Sequence, residues 1–282
     1  MVIMKRRSFF ALPAALCALP EAEAAAPAKR PFQLGCVTYN VLKDMDLDTV
    51  IKTLETAGFG VVELRTEHKH GVEPTIGPAE RAKVKERFAA SKIKLVSYGT
   101  TCEFQNLDDA ARQKQIELAK QWVDLAKDTG AVGVKVRPNG VPRGAELAAT
   151  IKRIGAGLKE VGEYGQSKGI EIWMEVHGAT TQEPKNAAAI LDAAGHPNVY
   201  ACWNSNPTDV QNGSMKWAWD LLGKRVRSCH ITELTSEYPY KELFGLMKSS
   251  GYNRWTLCEC QESKEPARFL QYYRALWEQL TA

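Results

Sequence analysis

The sequence lacks an apolar run of the roughly 20 residues that a helix needs to cross a bilayer. The run from Phe9 to Leu19 is too short. There is no low-complexity tract, so no segment is barred from a packed core by composition alone. There is also no clustered basic face. Lys and Arg number 37 against 33 Asp and Glu, a net charge of +4, and nucleic-acid binding usually demands basic residues gathered on one face. A nucleic-acid partner is therefore not expected. What is present is ordinary for a soluble globular enzyme, 44% hydrophobic and 25% charged residues. The length of 282 residues suits one α/β barrel rather than two domains.

The first residues read as an export signal. Lys5-Arg6-Arg7-Ser8-Phe9-Phe10 sets two arginines before the short apolar run, and Ala22-Glu23-Ala24 supplies the small-x-small pattern of a cleavage site. A twin-arginine signal over residues 1–24 is expected. It leaves a mature domain of residues 25–282 in the periplasm, with no membrane attachment once the signal is gone. Cys17 is a poor lipid-attachment site because Leu16, not a small residue, precedes it. The mature chain carries 34 basic and 31 acidic residues. An exported chain with six further cysteines invites a disulfide framework. Buried free thiols are the preferred reading, because most of these cysteines fall inside apolar segments, where Cys behaves as a small hydrophobe.

From Pro31 onward one phrase recurs: an apolar strand, a loop, an amphipathic helix, then a small or Gly-containing joint. Strands are expected at 34–39, 61–65, 94–98, 132–136, 170–175, 199–203, 227–231 and 254–259. In the first helix Leu47, Val50, Ile51 and Leu54 share one face, with Asp46 as its cap. Pro78 and Pro266 suit the first turns of two others. Strand-helix alternation predicts a parallel sheet, and eight such units close into a (β/α)8 barrel. An open doubly wound sheet usually shows a Gly-rich phosphate loop after its first strand. Here Asn40-Val-Leu-Lys-Asp44 stands there instead.

In such barrels chemistry sits where the strands end. Four consecutive strand ends carry a possible ligand, Glu175, Asn204, His230 and Glu259, spaced 29, 26 and 29 residues apart. One structural repeat between each pair predicts matching heights on neighbouring strands, with alternation turning all four into the mouth. Singly, each has a bland explanation: a solvated carboxylate, or a histidine bonded within the core. Together they suit one hard or borderline divalent ion, Mn²⁺ first, with Mg²⁺, Co²⁺ or Zn²⁺ as alternatives.

The segments Glu175-Val-His177, Cys229-His230 and Glu259 resemble the sugar phosphate isomerase/epimerase group of xylose-isomerase-like barrels, over Pro31 to Leu280. That resemblance implies a Glu, an Asp, a His and a second Glu around one Mn²⁺-like ion, with both Glu also serving as acid and base. Residue by residue these become Glu175, Asn204, His230 and Glu259. Asn204 departs from the family's Asp: it keeps a carbonyl oxygen but loses a charge, which predicts weaker affinity. Asn206 and Asp209 are fallback ligands. The related endonuclease branch, with three zinc ions, needs more His and Asp than this chain offers.

A sugar is the expected substrate. Chelation of its vicinal oxygens acidifies the C–H beside a carbonyl, and Glu175 and Glu259 are the expected catalytic pair for proton transfer through an enediolate. Arg65, His68 and His70 in the loop after the second strand are expected to bond substrate hydroxyls, as is His177. Lys135 and Arg137 are candidates for holding an anionic group, and Trp203 and Tyr39 for stacking on a sugar. Three readings stay open: a keto-sugar isomerase or epimerase, a lyase or hydratase acting on keto-glycosides, and a non-catalytic sugar-binding barrel. A homo-oligomer is compatible with each.

Overall fold

The computed structural model describes residues 30–282. The expected export signal and cleavage site, and Cys17, lie outside these residues. Strands β1 (Gln33–Val37), β2 (Val61–Arg65), β3 (Lys94–Gly99), β4 (Gly133–Val136), β5 (Glu171–Glu175), β6 (Val199–Asn204), β7 (Val226–Ile231) and β8 (Trp255–Cys258) pair in parallel and in chain order. Pairing of β1 with β8, from Gln33 opposite Trp255 to Cys36 opposite Cys258, closes the barrel. Around it lie α1 (Leu47–Ala57), α2 (Pro78–Ala89), α3 (Asp109–Thr129), α4 (Leu147–Lys168), α5 (Pro184–Ala194), α6 (Lys216–Leu222), α7 (Tyr240–Ser249) and α8 (Pro266–Leu280).

Local chemistry explains these elements. Asp46 accepts a hydrogen bond from the Thr49 amide at 2.8 Å and caps α1, satisfying one of the donors that a helix start leaves free. Asp108 does the same for α3, accepting from Ala110 and Ala111. The helices bury one face against the outside of the barrel, where Leu54, Val123, Ile154, Ile190 and Phe244 join one large apolar cluster. A smaller cluster fills the inside: Val37, Val61, Val96, Trp173, Cys202, Trp255 and Leu257. The Trp173 and Trp255 rings, 5.7 Å apart, make an apolar floor, so the barrel is a packed core with a mouth rather than a pore.

Most strand bounds move by a residue or two, and two strands end earlier than expected. β1 stops at Val37, because Thr38 turns its hydroxyl to the Arg65 amide and to His68. β8 stops at Cys258, although the Glu259 amide still donates to Ile231 O at 2.9 Å. All six cysteines among the described residues are buried and free. No described helix is long and apolar enough to cross a membrane.

Candidate functional site

The period of two along each strand sends Glu63, Lys135, Glu175, Asn204 and His230 to the same interior. Asn204 lies opposite His230 in register, and His230 opposite Leu257, which places Glu259 one step above the end of β8. The mouth above the tryptophan floor is a cavity of about 370 Å³, lined among others by Glu63, Arg65, Lys135, Arg137, Glu175, His177, Asn204 and Glu259.

His230 stands at the centre and is fully buried. Its Nδ1 lies 3.5 Å from Glu175 Oε1 and 3.3 Å from Glu259 Oε2, yet it has no hydrogen-bond partner. Lys135 Nζ donates to Glu175 Oε2 at 2.6 Å, with both side chains buried. One oxygen of Glu175 is thereby tied down and the other faces the histidine. Burial works against the Glu175 charge, but Lys135 and then His230 outweigh it and hold the carboxyl well below its usual range. Burial likewise opposes the Lys135 charge, and Glu175 and Glu63 raise it above the ordinary lysine value.

Glu175, His230 and Glu259 each offer a ligand atom within 4.8 Å of the others. Two anionic oxygens and an imidazole nitrogen left without a partner are the donor set expected around a divalent cation, and the residues fit one. Asn204 donates its amide nitrogen to Glu175 Oε1 at 3.4 Å. It would serve as a ligand only after a half-turn of the amide that presents Oδ1.

Other expected site residues divide. Arg65, Lys135, Arg137, His177 and Tyr39 line the cavity; His68 and His70 do not. His70 gives both ring nitrogens to its own loop, at Arg65 O and the Val72 amide, so no hydrogen-bonding capacity is left for a substrate. His68 bonds Thr38 and stacks beside Tyr39. Burial, then His70 and Arg65, lower its pKa to about 4, so it is neutral at pH 7. Lys135 and Arg137, expected to hold an anionic group, already have acidic partners. Lys135 is paired with Glu175, and Arg137 with Glu103 at 2.8 Å.

Trp203 faces away from the cavity, bonding Tyr238 and packing on Trp219, because its neighbour Asn204 takes the inward position. The fallback ligands are similarly committed. Asn206 donates to Val176 O, and Asp209 accepts from Tyr238 and from the Asn206 amide. Sequence reasoning passed over Glu63, Thr100, Gln182, Ser205, Thr232 and Gln261, all of which line the mouth. Glu63 had a readable signal, a carboxylate at an inward position flanked by Val61, Val62 and Leu64. The loop residues had none. A second cavity, about 390 Å³ beside Trp219 and Arg254 at the opposite end of the barrel, holds no histidine and a single carboxylate, Asp220.

A profile of the xylose isomerase-like TIM barrel family matches residues 51–276, and the chain belongs to that family. No curated protein shows significant sequence similarity to it. Among solved structures, the IolI protein with a bound zinc atom is similar at TM-score 0.76 and 15% identity, over 88% of this chain and 98% of its own. L-ribulose 3-epimerase is similar at TM-score 0.75 and 14% identity, over 88% of this chain and 94% of its own. The 3-keto-D-glucoside 4-epimerase YcjR from E. coli is similar at TM-score 0.74 and 10% identity, over 88% of this chain and 99% of its own.

Proposed function

We propose that this protein is a divalent-metal-dependent epimerase or isomerase of a neutral keto-sugar or keto-glycoside. The observation that carries the reading is the trio of Glu175, His230 and Glu259 in a polar mouth, with His230 Nδ1 turned unpartnered toward both carboxylates. Glu175, His230 and Glu259 would hold the ion, with Asn204 as a weaker fourth group, and Mn²⁺ is the first candidate. When bound, such an ion polarises a carbonyl and its neighbouring oxygen, which acidifies the C–H between them. Glu259, 19% exposed and free of a lysine partner, takes or returns the proton from one side. Glu175, held anionic by Lys135, serves the other.

Neutral substrates are favoured because the cationic side chains of the mouth already have partners. Lys135 and Arg137 are in ion pairs, and Arg65 lies over the Tyr39 ring and donates to Thr66 O. A phosphate would have to break one of these contacts. The similarity to epimerases acting on L-ribulose and on a 3-keto-D-glucoside agrees with this chemistry. Incubation of metal-loaded protein with keto-sugars and keto-glycosides in D₂O, followed by NMR, should show deuterium entering the carbon beside the carbonyl. Turnover with elimination and no epimer would mark a lyase instead; no exchange on any of them would leave only a sugar-binding role.

We also propose that the chain is exported by the twin-arginine route and matures near Ala25. Replacing Arg6 and Arg7 by Lys should leave the protein in the cytoplasm. Unchanged export would contradict this.

A further inference from the structure

Glu63 is a fully buried carboxylate in the middle of a strand, an unfavourable placement for a charge unless partners compensate it. Its partners are few. Ser97 Oγ donates to Oε2 at 2.6 Å. Oε1 lies 3.1 Å from His230 Nε2, off the line of an ideal N–H donation, and neither atom has another partner. The neighbouring strand is shaped around the carboxylate: at Gly99 a Cβ would come within 2.6 Å of Oε1. Any side chain there would push Glu63 off the histidine. β3 thus supplies a donor at Ser97 and room at Gly99, two residues apart, both aimed at one carboxylate.

An imidazole offers two nitrogens with opposite duties. A proton held on Nε2 by a carboxylate leaves the lone pair of Nδ1 for a cation, and fixes the ring plane as well. We propose that Glu63 is a positioning residue that grips the Nε2–H of His230 and thereby turns Nδ1 toward Glu175 and Glu259. The consequence for ligand presentation rests on the metal site proposed above; the grip on the ring does not.

The test uses full-length mature protein with ¹⁵N-labelled histidine, metal-free and Zn²⁺-loaded, with His230→Asn assigning the signal. Wild type should show a low-field, slowly exchanging Nε2–H resonance in both states. In Glu63→Gln it should move upfield, because a charge-assisted hydrogen bond becomes a neutral one. Zn²⁺ affinity by titration should fall about 10–100-fold while circular dichroism is unchanged. Ser97→Ala, a smaller change that keeps the carboxylate, should give a smaller shift in the same direction. An unprotonated Nε2, or a Glu63→Gln variant whose resonance and Zn²⁺ affinity both match wild type, overturns the proposal. If wild type binds no Zn²⁺ the metal reading fails separately, and the resonance in metal-free protein still decides the role of Glu63.

Discussion

Asp209 illustrates how a buried group in this barrel couples to pH. Its Oδ2 accepts from Tyr238 at 2.7 Å and from the Asn206 amide at 2.9 Å, while Oδ1 is buried without a partner. Burial outweighs the two hydrogen bonds and pushes the carboxyl up from 3.8 to about 7. Between those values the folded protein holds a proton that the unfolded chain has already lost. Stability from this group is therefore full below the unfolded pKa, falls as pH rises, and is lost once pH passes about 7. The loss reaches about 4 kcal/mol by linkage. Asp209→Asn resembles the protonated form, so its stability relative to wild type should rise between pH 5 and pH 8 in urea denaturation. An equal difference at both values would contradict the assignment. Residues of this kind escaped the sequence: Asp209 was a candidate ligand only because its loop follows a strand end. Its true partner, Tyr238, is 29 positions away.

At the scale of elements, the barrel was legible almost to the residue, because helices and strands announce themselves by period. Val61–Arg65 and the helix opening at Pro78 stand where alternation and a first-turn proline place them. Loops carry no such period, and their packing is invisible beforehand. Gly178, directly after the mouth residue His177, has φ +94°, and a Cβ there would lie 2.3 Å from the Gly140 amide nitrogen. The loops after β4 and β5 therefore meet backbone to backbone, joined also by Gly140 N–H donating to Thr181 Oγ1 at 3.0 Å. Gly178→Ala should cost about 2 kcal/mol or more, a fall in Tm of about 4–8 °C. It should also raise KM through displacement of His177. Gly213→Ala, at φ +76° with nothing within 4 Å of the added carbon, isolates backbone strain from clash and should cost about 1 kcal/mol. Equal losses for the two would show that the loop contact is unimportant.

For the whole molecule, the division of labour is between a floor that holds the fold and a mouth that holds the chemistry. Trp173 and Trp255 close the interior with apolar surface, so the metal-free protein is predicted to fold. Around His230 the mouth gathers three carboxylates, Glu63, Glu175 and Glu259, with Lys135, while Arg65 and Arg137 lie on the same cavity wall with partners of their own. The oxygens left facing the histidine are where a cation would sit. Spacing along four successive strands made Glu175, Asn204, His230 and Glu259 readable. Glu63 needed the closed barrel, which brings β2 across to His230 on β7, whereas the Lys135–Glu175 pair needed the register of the neighbouring strands β4 and β5. The most direct measurement is a Mn²⁺ titration of the metal-free protein by calorimetry, with elemental analysis, for wild type, Glu259→Gln, His230→Ala and Asn204→Asp. One ion per chain is predicted for wild type, with affinity lost in the first two variants while circular dichroism is unchanged. Asn204→Asp should bind more tightly, since it adds a carboxylate beside Glu175, and for the same reason should melt lower when metal-free. A wild-type protein that takes up no divalent ion at micromolar concentration would contradict the account.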